Sequence, residues 1–116
     1  MAEINGMTTD DQPFYRIDRF VVADAARAEF IGRVRMTHAV LRQQPGFVRD
    51  ALLEHPGEAP GESVILTIAE WRNLAATEGA RAAVAALHIR ENFNPQELFA
   101  RRRIKAELGN YRPLGE

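Results

Sequence analysis

Apolar and polar positions along this chain fall into runs of two different periods. "FYRIDRFVV", Phe14 to Val22, is rich in aromatic and β-branched residues, the composition of a strand. After it, Ala26, Phe30, Val34, Thr37 and Leu41 recur at spacings of three and four, which predicts an amphipathic helix. Asp24 stands where it can cap that helix, since a carboxylate there accepts from free N–H groups of the first turn. "QQPG" ends the helix, because its proline and glycine do not continue one. "FVRDALLE", Phe47 to Glu54, reads as a second strand, and "HPGEAPGE" as a loop. "SVILTIAEWRN", Ser63 to Asn73, is the third strand, so strands two and three predict an antiparallel hairpin with a long connection.

Asn73 is a candidate N-cap for an alanine-rich helix over Leu74 to Leu87, in which Gly79 costs about 1 kcal/mol relative to alanine. A second helix start follows in "FNPQEL". Asn94 caps, Pro95 takes the first helical position, Glu97 completes a capping box, and Phe93 with Leu98 forms a hydrophobic staple. "RIKAELGNY", Arg103 to Tyr111, alternates and reads as the last strand. The order β-α-β-β-α(α)-β predicts an α+β, ferredoxin-like split-βαβ fold: a four-stranded antiparallel sheet with helices on one face. The predicted domain covers 13–112, with tails at 1–12 and 113–116.

The third strand is apolar on both faces. Val64, Leu66 and Ile68 share one face; Ile65, Thr67, Ala69 and Trp71 share the other. An antiparallel sheet with helices on one side normally turns a polar face to water. With Val64, Leu66 and Ile68 assigned to the helices, the Trp71 face requires another cover. The expected cover is a second copy, giving a homodimer packed sheet to sheet around an internal cavity.

Composition narrows the chemistry. The chain has 116 residues, suited to one domain, and a formal net charge of −1, which offers no basic field for nucleic acid. It has no cysteine, which excludes disulfides, thiolate metal sites and cysteine nucleophiles. No apolar run approaches the roughly 20 residues of a membrane span. "MAEINGMTTDDQP" lacks a signal-peptide pattern, so the expectation is a cytoplasmic protein with no membrane partner. Three scattered histidines have no metal spacing, and no glycine-rich loop suits a phosphate or dinucleotide.

"IDRFVVADAARAEF", "QQPGFVRDALLE" and "VILTIAEWRNLAA" together resemble the antibiotic biosynthesis monooxygenase family. The resemblance lies in an aromatic-rich first strand, a helix ending in Pro-Gly-aromatic, and a third strand ending in Glu-Trp with helix after it. It covers residue 14 to about 88 and implies a dimeric α/β barrel. Members include cofactor-free monooxygenases of polyketide-type phenols and quinols, and haem-degrading enzymes. In the cofactor-free case the substrate supplies the electrons. The protein then provides a water-poor cavity, proton-handling groups and donors for the anion.

That chemistry directs attention to acid/base and aromatic side chains on one sheet face. Asp18 and His88 are the candidate acid/base groups, Asp18 because a carboxylate in an apolar cavity can act as a base; the alternative is that Asp18 and Arg16 form an ordinary structural pair with neighbours such as Arg19. Arg16 is the candidate anion holder; Phe20, Thr67 and Trp71 are candidate walls, and Asn92, Phe93 and Tyr111 candidate rim residues. Trp71 also suits a packing role at the strand-to-helix corner. Haem-degrading relatives have asparagine at the position matching Asp18 and an iron-ligating histidine in the helix that precedes His88. Here the histidine is offset by about two residues. The segment "LAATEGARAAV" also lacks their second tryptophan, and Gly79 and Ala80 occupy the place where many members carry a histidine. No cofactor is therefore expected, and haem is disfavoured. His38, beside the apolar stripe of the first helix, reads as a boundary histidine with one ring nitrogen bonded, and His55 as a solvent-exposed loop residue. The expected function is a cofactor-independent monooxygenase acting on an aromatic or polyketide-type small molecule. The alternatives are a non-catalytic small-molecule binder and a polyketide cyclase or isomerase.

Overall fold

The computed structural model describes residues 12–115. The tail expected at 1–12 therefore lies, Gln12 apart, outside the described residues. Four strands, β1 (Phe14–Ala23), β2 (Phe47–Pro56), β3 (Glu62–Trp71) and β4 (Lys105–Tyr111), form one antiparallel sheet in the order β2-β3-β1-β4. Helices α1 (Asp24–Leu41), α2 (Ala76–Arg90) and α3 (Pro95–Arg102) supply the second layer. This is the ferredoxin-like α+β fold that the element order predicts.

Local signals explain most of the boundaries. Gly46 adopts φ 85°, and a Cβ there would stand 2.5 Å from that of Ala76, so the turn into β2 needs glycine on both counts. Asn94 caps α3 through a 2.9 Å bond from the Gln96 N–H to its Oδ1, with Pro95 at the first helical position. The staple residues Phe93 and Leu98 pack into one core cluster. Asn73 Oδ1 accepts from the Ala76 N–H at 3.0 Å, but the turn it opens delays regular helix to Ala76. Asp24 departs from expectation. It is the first residue of α1 and makes no side-chain cap, while its N–H donates to the Gly61 carbonyl at 2.8 Å. Its charge still complements the positive end of the helix dipole.

The two faces of the sheet are the reverse of the assignment made from the pattern. Ile65 packs with Phe20, Val22, Ala26, Phe30, Leu98 and Ile104 in one cluster. Ala69 and Trp71 pack with Phe14 and Ala80 in the other. Ile65, Thr67, Ala69 and Trp71 therefore meet the helices. Val64, Leu66 and Ile68 lie on the open face, paired with Val21, Arg19 and Ile17 of β1 and with His55, Leu53 and Ala51 of β2. The physical reason is the small side chains of α2. Ala76 and Ala80 let that helix approach closely enough to bury Trp71, which is 3% exposed. The open face keeps an apolar centre with no helix over it, and Leu53 there is half exposed.

Candidate active site

The helix-facing side of the sheet is not filled. Near its middle, short side chains meet: Thr67 and Ala69 of β3 lie opposite Ala80 and Val84 of α2. Large rings stand at either end. Phe14, Phe47 and Trp71 close one, with Phe47 edge-on to Trp71 at 5.6 Å. Phe20, Phe30 and Phe99 close the other, with ring centroids 4.7 and 5.7 Å from Phe20. Between them is a cavity of about 430 Å³. Exposed members of its wall, Leu74, Arg81, Leu108 and Asn110, stand where it meets solvent. The cavity thus lies between sheet and helices of one protomer, not between two sheets, as the reversed faces require.

Seven of the nine candidate residues line this cavity: Arg16, Asp18, Phe20, Thr67, Trp71, His88 and Phe93. The first five were expected to share a sheet face, and they do; the helices rather than a partner sheet cover it. Asn92 and Tyr111 lie elsewhere. Asn92 sits exposed in the left-handed region, φ 49°, in the break between α2 and α3. Tyr111 is on the open face, paired with Tyr15, and its ring lies across Gly109.

Asp18 is not an isolated carboxylate. Its Oδ1 accepts from Arg16 Nε at 2.6 Å and from the Gly109 N–H at 3.3 Å. This is the structural pair that stands as the alternative to a free base, and it orients Arg16. His88 lies edge-on to Phe93, 5.4 Å between centroids, and the Arg33 guanidinium sits 4.4 Å from the centre of the same Phe93 ring.

A further polar group on the wall was not read as part of a site. His38, 6% exposed, lines the cavity from the last turns of α1. Its Nδ1 is 2.9 Å from Asp50 Oδ2 on β2, so one ring nitrogen is bonded as expected. Arg42, one helical turn on, donates to both Asp50 oxygens, at 2.9 and 3.2 Å. Burial of Asp50 opposes its charge, but the hydrogen bonds from Arg42 and His38 outweigh it and hold the carboxyl below its usual range. The strand pattern concealed this partner. Strict alternation from Phe47 puts Asp50 on the opposite face. A bulge between Phe47 and Arg49 shifts the register, so Phe47 and Asp50 both face the helices opposite Trp71 and Ala69. Among the described residues no group of three or more carboxylates and imidazoles could hold a metal ion. None of the described helices is long and apolar enough to cross a membrane.

Comparison with curated proteins finds none that matches. Solved structures do match. A variant of SnoaB, a cofactor-independent oxygenase from Streptomyces nogalater, is 25% identical, with a TM-score of 0.58 over 90% of this chain and 96% of the other. A dimeric ferredoxin-like protein from an uncultured marine organism shares the fold at 16% identity, with a TM-score of 0.62 over 90% and 98% of the two chains. A protein from Nitrosomonas europaea, described as of the antibiotic biosynthesis monooxygenase kind, does so at 14% identity and a TM-score of 0.63 over 90% and 92%. The antibiotic biosynthesis monooxygenase family model matches residues 13–92. With most of its sheet, its first two helices and much of the cavity wall inside that match, this chain belongs to the antibiotic biosynthesis monooxygenase family.

Proposed function

We propose that this protein is a cofactor-independent monooxygenase that oxidises an aromatic, polyketide-type phenol or quinol with O₂ inside the cavity between sheet and helices. The observation that carries the reading is the cavity itself. It has about 430 Å³ of space, apolar and aromatic walls and a few convergent polar groups, in a member of a monooxygenase family. The description of SnoaB as a cofactor-independent oxygenase supports the same reading.

The reaction class follows from what these side chains can do. An electron-rich phenolate or carbanion can give an electron to O₂ directly. For a methylene held between aromatic rings, loss of one C–H proton gives the carbanion, and its oxidation by O₂ gives a hydroperoxide. Loss of the second C–H proton expels hydroxide and leaves a ketone. One oxygen atom becomes the carbonyl and the other leaves as water, so the substrate carbon supplies all four electrons. The protein must take the first proton, steady the anion and exclude water. Arg16, oriented by Asp18, is suited to hold the oxyanion. His88 is an acid/base group on the α2 wall, and Phe20, Thr67, Trp71 and Phe93 shape the ring site. Asn92 and Tyr111 have no place in this reading. Haem has none either: α2 carries one histidine, His88 in its last turn, and no tryptophan.

The protein acts as a homodimer through the open sheet face, where Ile17, Val21, Val64, Leu66 and Ile68 form a stripe across the two central strands. An apolar sheet face of this kind is best covered by its own copy.

Oxygen uptake with a panel of quinols and anthrones tests the activity. The expected result is consumption of one O₂ per ketone or quinone oxygen introduced, without added metal or flavin. Turnover that continues unchanged without O₂ would refute the oxygenase and favour cyclisation or isomerisation. No turnover, with a melting temperature raised by the same aromatics, would leave a binding protein.

A further inference from the structure

The geometry points to His38 as the base that takes the first proton from the bound ligand, with Asp50 and Arg42 as its positioning residues. This rests on the proposed function for the nature of the ligand, a weakly acidic phenol or quinol.

The two walls that make the dyad are independent. His38 comes from α1 and Asp50 from the bulged start of β2, and the Asp50 carboxylate is largely buried, 11% exposed, where the two elements meet. Arg42 braces it with two N–H groups, at 2.9 and 3.2 Å. An ionised carboxylate has lone pairs and no proton to give. The 2.9 Å contact between Asp50 Oδ2 and His38 Nδ1 therefore requires the hydrogen on Nδ1. In the neutral ring Nε2 is then the bare nitrogen. It has no hydrogen-bond partner among the described residues, and its ring lines the cavity. A base built in this way has its tautomer fixed before the ligand arrives, and the imidazolium that forms lies against a carboxylate already held charged.

The other charged or titratable groups on the wall are less free to take that proton. Asp18 is engaged by Arg16, and Arg33 and Arg81 are cations. His88 is the competing base, and the test must separate the two histidines.

Two readouts do so. The first is O₂ uptake with a quinol: His38→Gln is expected to lower kcat by about 100-fold or more, and His88→Gln, which leaves the first base in place, by about tenfold or less. The second needs no turnover. Para-nitrophenol added at a pH where the free phenol is neutral should acquire the visible phenolate band on binding to the wild-type protein and to His88→Gln. It should bind to His38→Gln without that band. If the phenolate band depends on His38 but no quinol is oxidised, the base assignment stands and the oxygenase reading falls. If His38→Gln keeps O₂ uptake within about threefold of wild type, or if the wild type binds nitrophenol without the band, the assignment is overturned. Asp50→Asn tests positioning. The asparagine amide can donate to Nδ1, so histidine nitrogen NMR should show the His38 hydrogen moving to Nε2 while the protein stays folded. An unchanged tautomer would refute the role given to Asp50.

Discussion

Phe30→Ala offers the sharpest test of the packing that bounds the cavity. The Phe30 ring is 2% exposed, and its centroid lies 4.7 Å from that of Phe20, at a tilt of 57°. Phe20 in turn meets Phe99 at 5.7 Å. Truncation removes buried apolar surface and leaves a void that the sheet cannot close, because β1 is pinned between β3 and β4. Buried Phe→Ala changes cost about 3–5 kcal/mol, and the lost tilted ring contact is part of that sum. The lower part of this range is expected, since Phe30 already borders open volume on one side. The chain has one tryptophan, Trp71, buried in the other cluster, so its fluorescence reports on the far end of the same core. Urea denaturation followed by that fluorescence and by far-ultraviolet circular dichroism should give coincident transitions, both shifted to lower urea by about 3 kcal/mol. A shift below about 1 kcal/mol would refute the ring stack as a structural wall. A fluorescence transition that stays put while the dichroism moves would refute the idea that the two clusters form one cooperative core.

Three further outcomes follow from the same structure. Asp50 has its folded pKa lowered, so it contributes stability that is present above the unfolded value of about 3.9 and is lost as pH falls through the folded value. The stability deficit of Asp50→Asn, about 2–3 kcal/mol at neutral pH from its charged hydrogen bonds, should therefore shrink in denaturation curves taken below about pH 4. Leu66→Glu puts a charge at the centre of the open sheet face opposite Arg19 and Leu53. Sedimentation should find the wild type dimeric and the variant monomeric with an unchanged fold, and a wild type that is monomeric at micromolar concentration would remove the dimer. Gly46→Ala combines φ 85° with a clash at Ala76, so it should lower stability by about 1–3 kcal/mol in thermal melts, whereas Gly32→Ala, with open space around it, should not.

The element order and the set of residues on each strand face were legible in the sequence because local rules decide them. Period-2 alternation put Arg16, Asp18 and Phe20 together on β1 and Thr67 with Trp71 on β3, and the structure keeps both groups. Asn94-Pro95 announced α3 because a cap and a preset φ act within one turn. Which face of β3 meets the helices was not legible. Both faces are apolar, so alternation alone is symmetric between them. The choice came from the fit of Trp71 and Phe14 against the alanines of α2, and from the crossover of α1 between the separated strands β1 and β2. The same holds for the polar heart of the cavity. Asp50 reaches His38 because one bulged residue in β2 turns it inward, and no local pattern in "FVRDALLE" records that step. Local periodicity thus determined the parts and their faces. Only packing decided which faces meet, where the space between them lies, and that His38 and Asp50 share its wall.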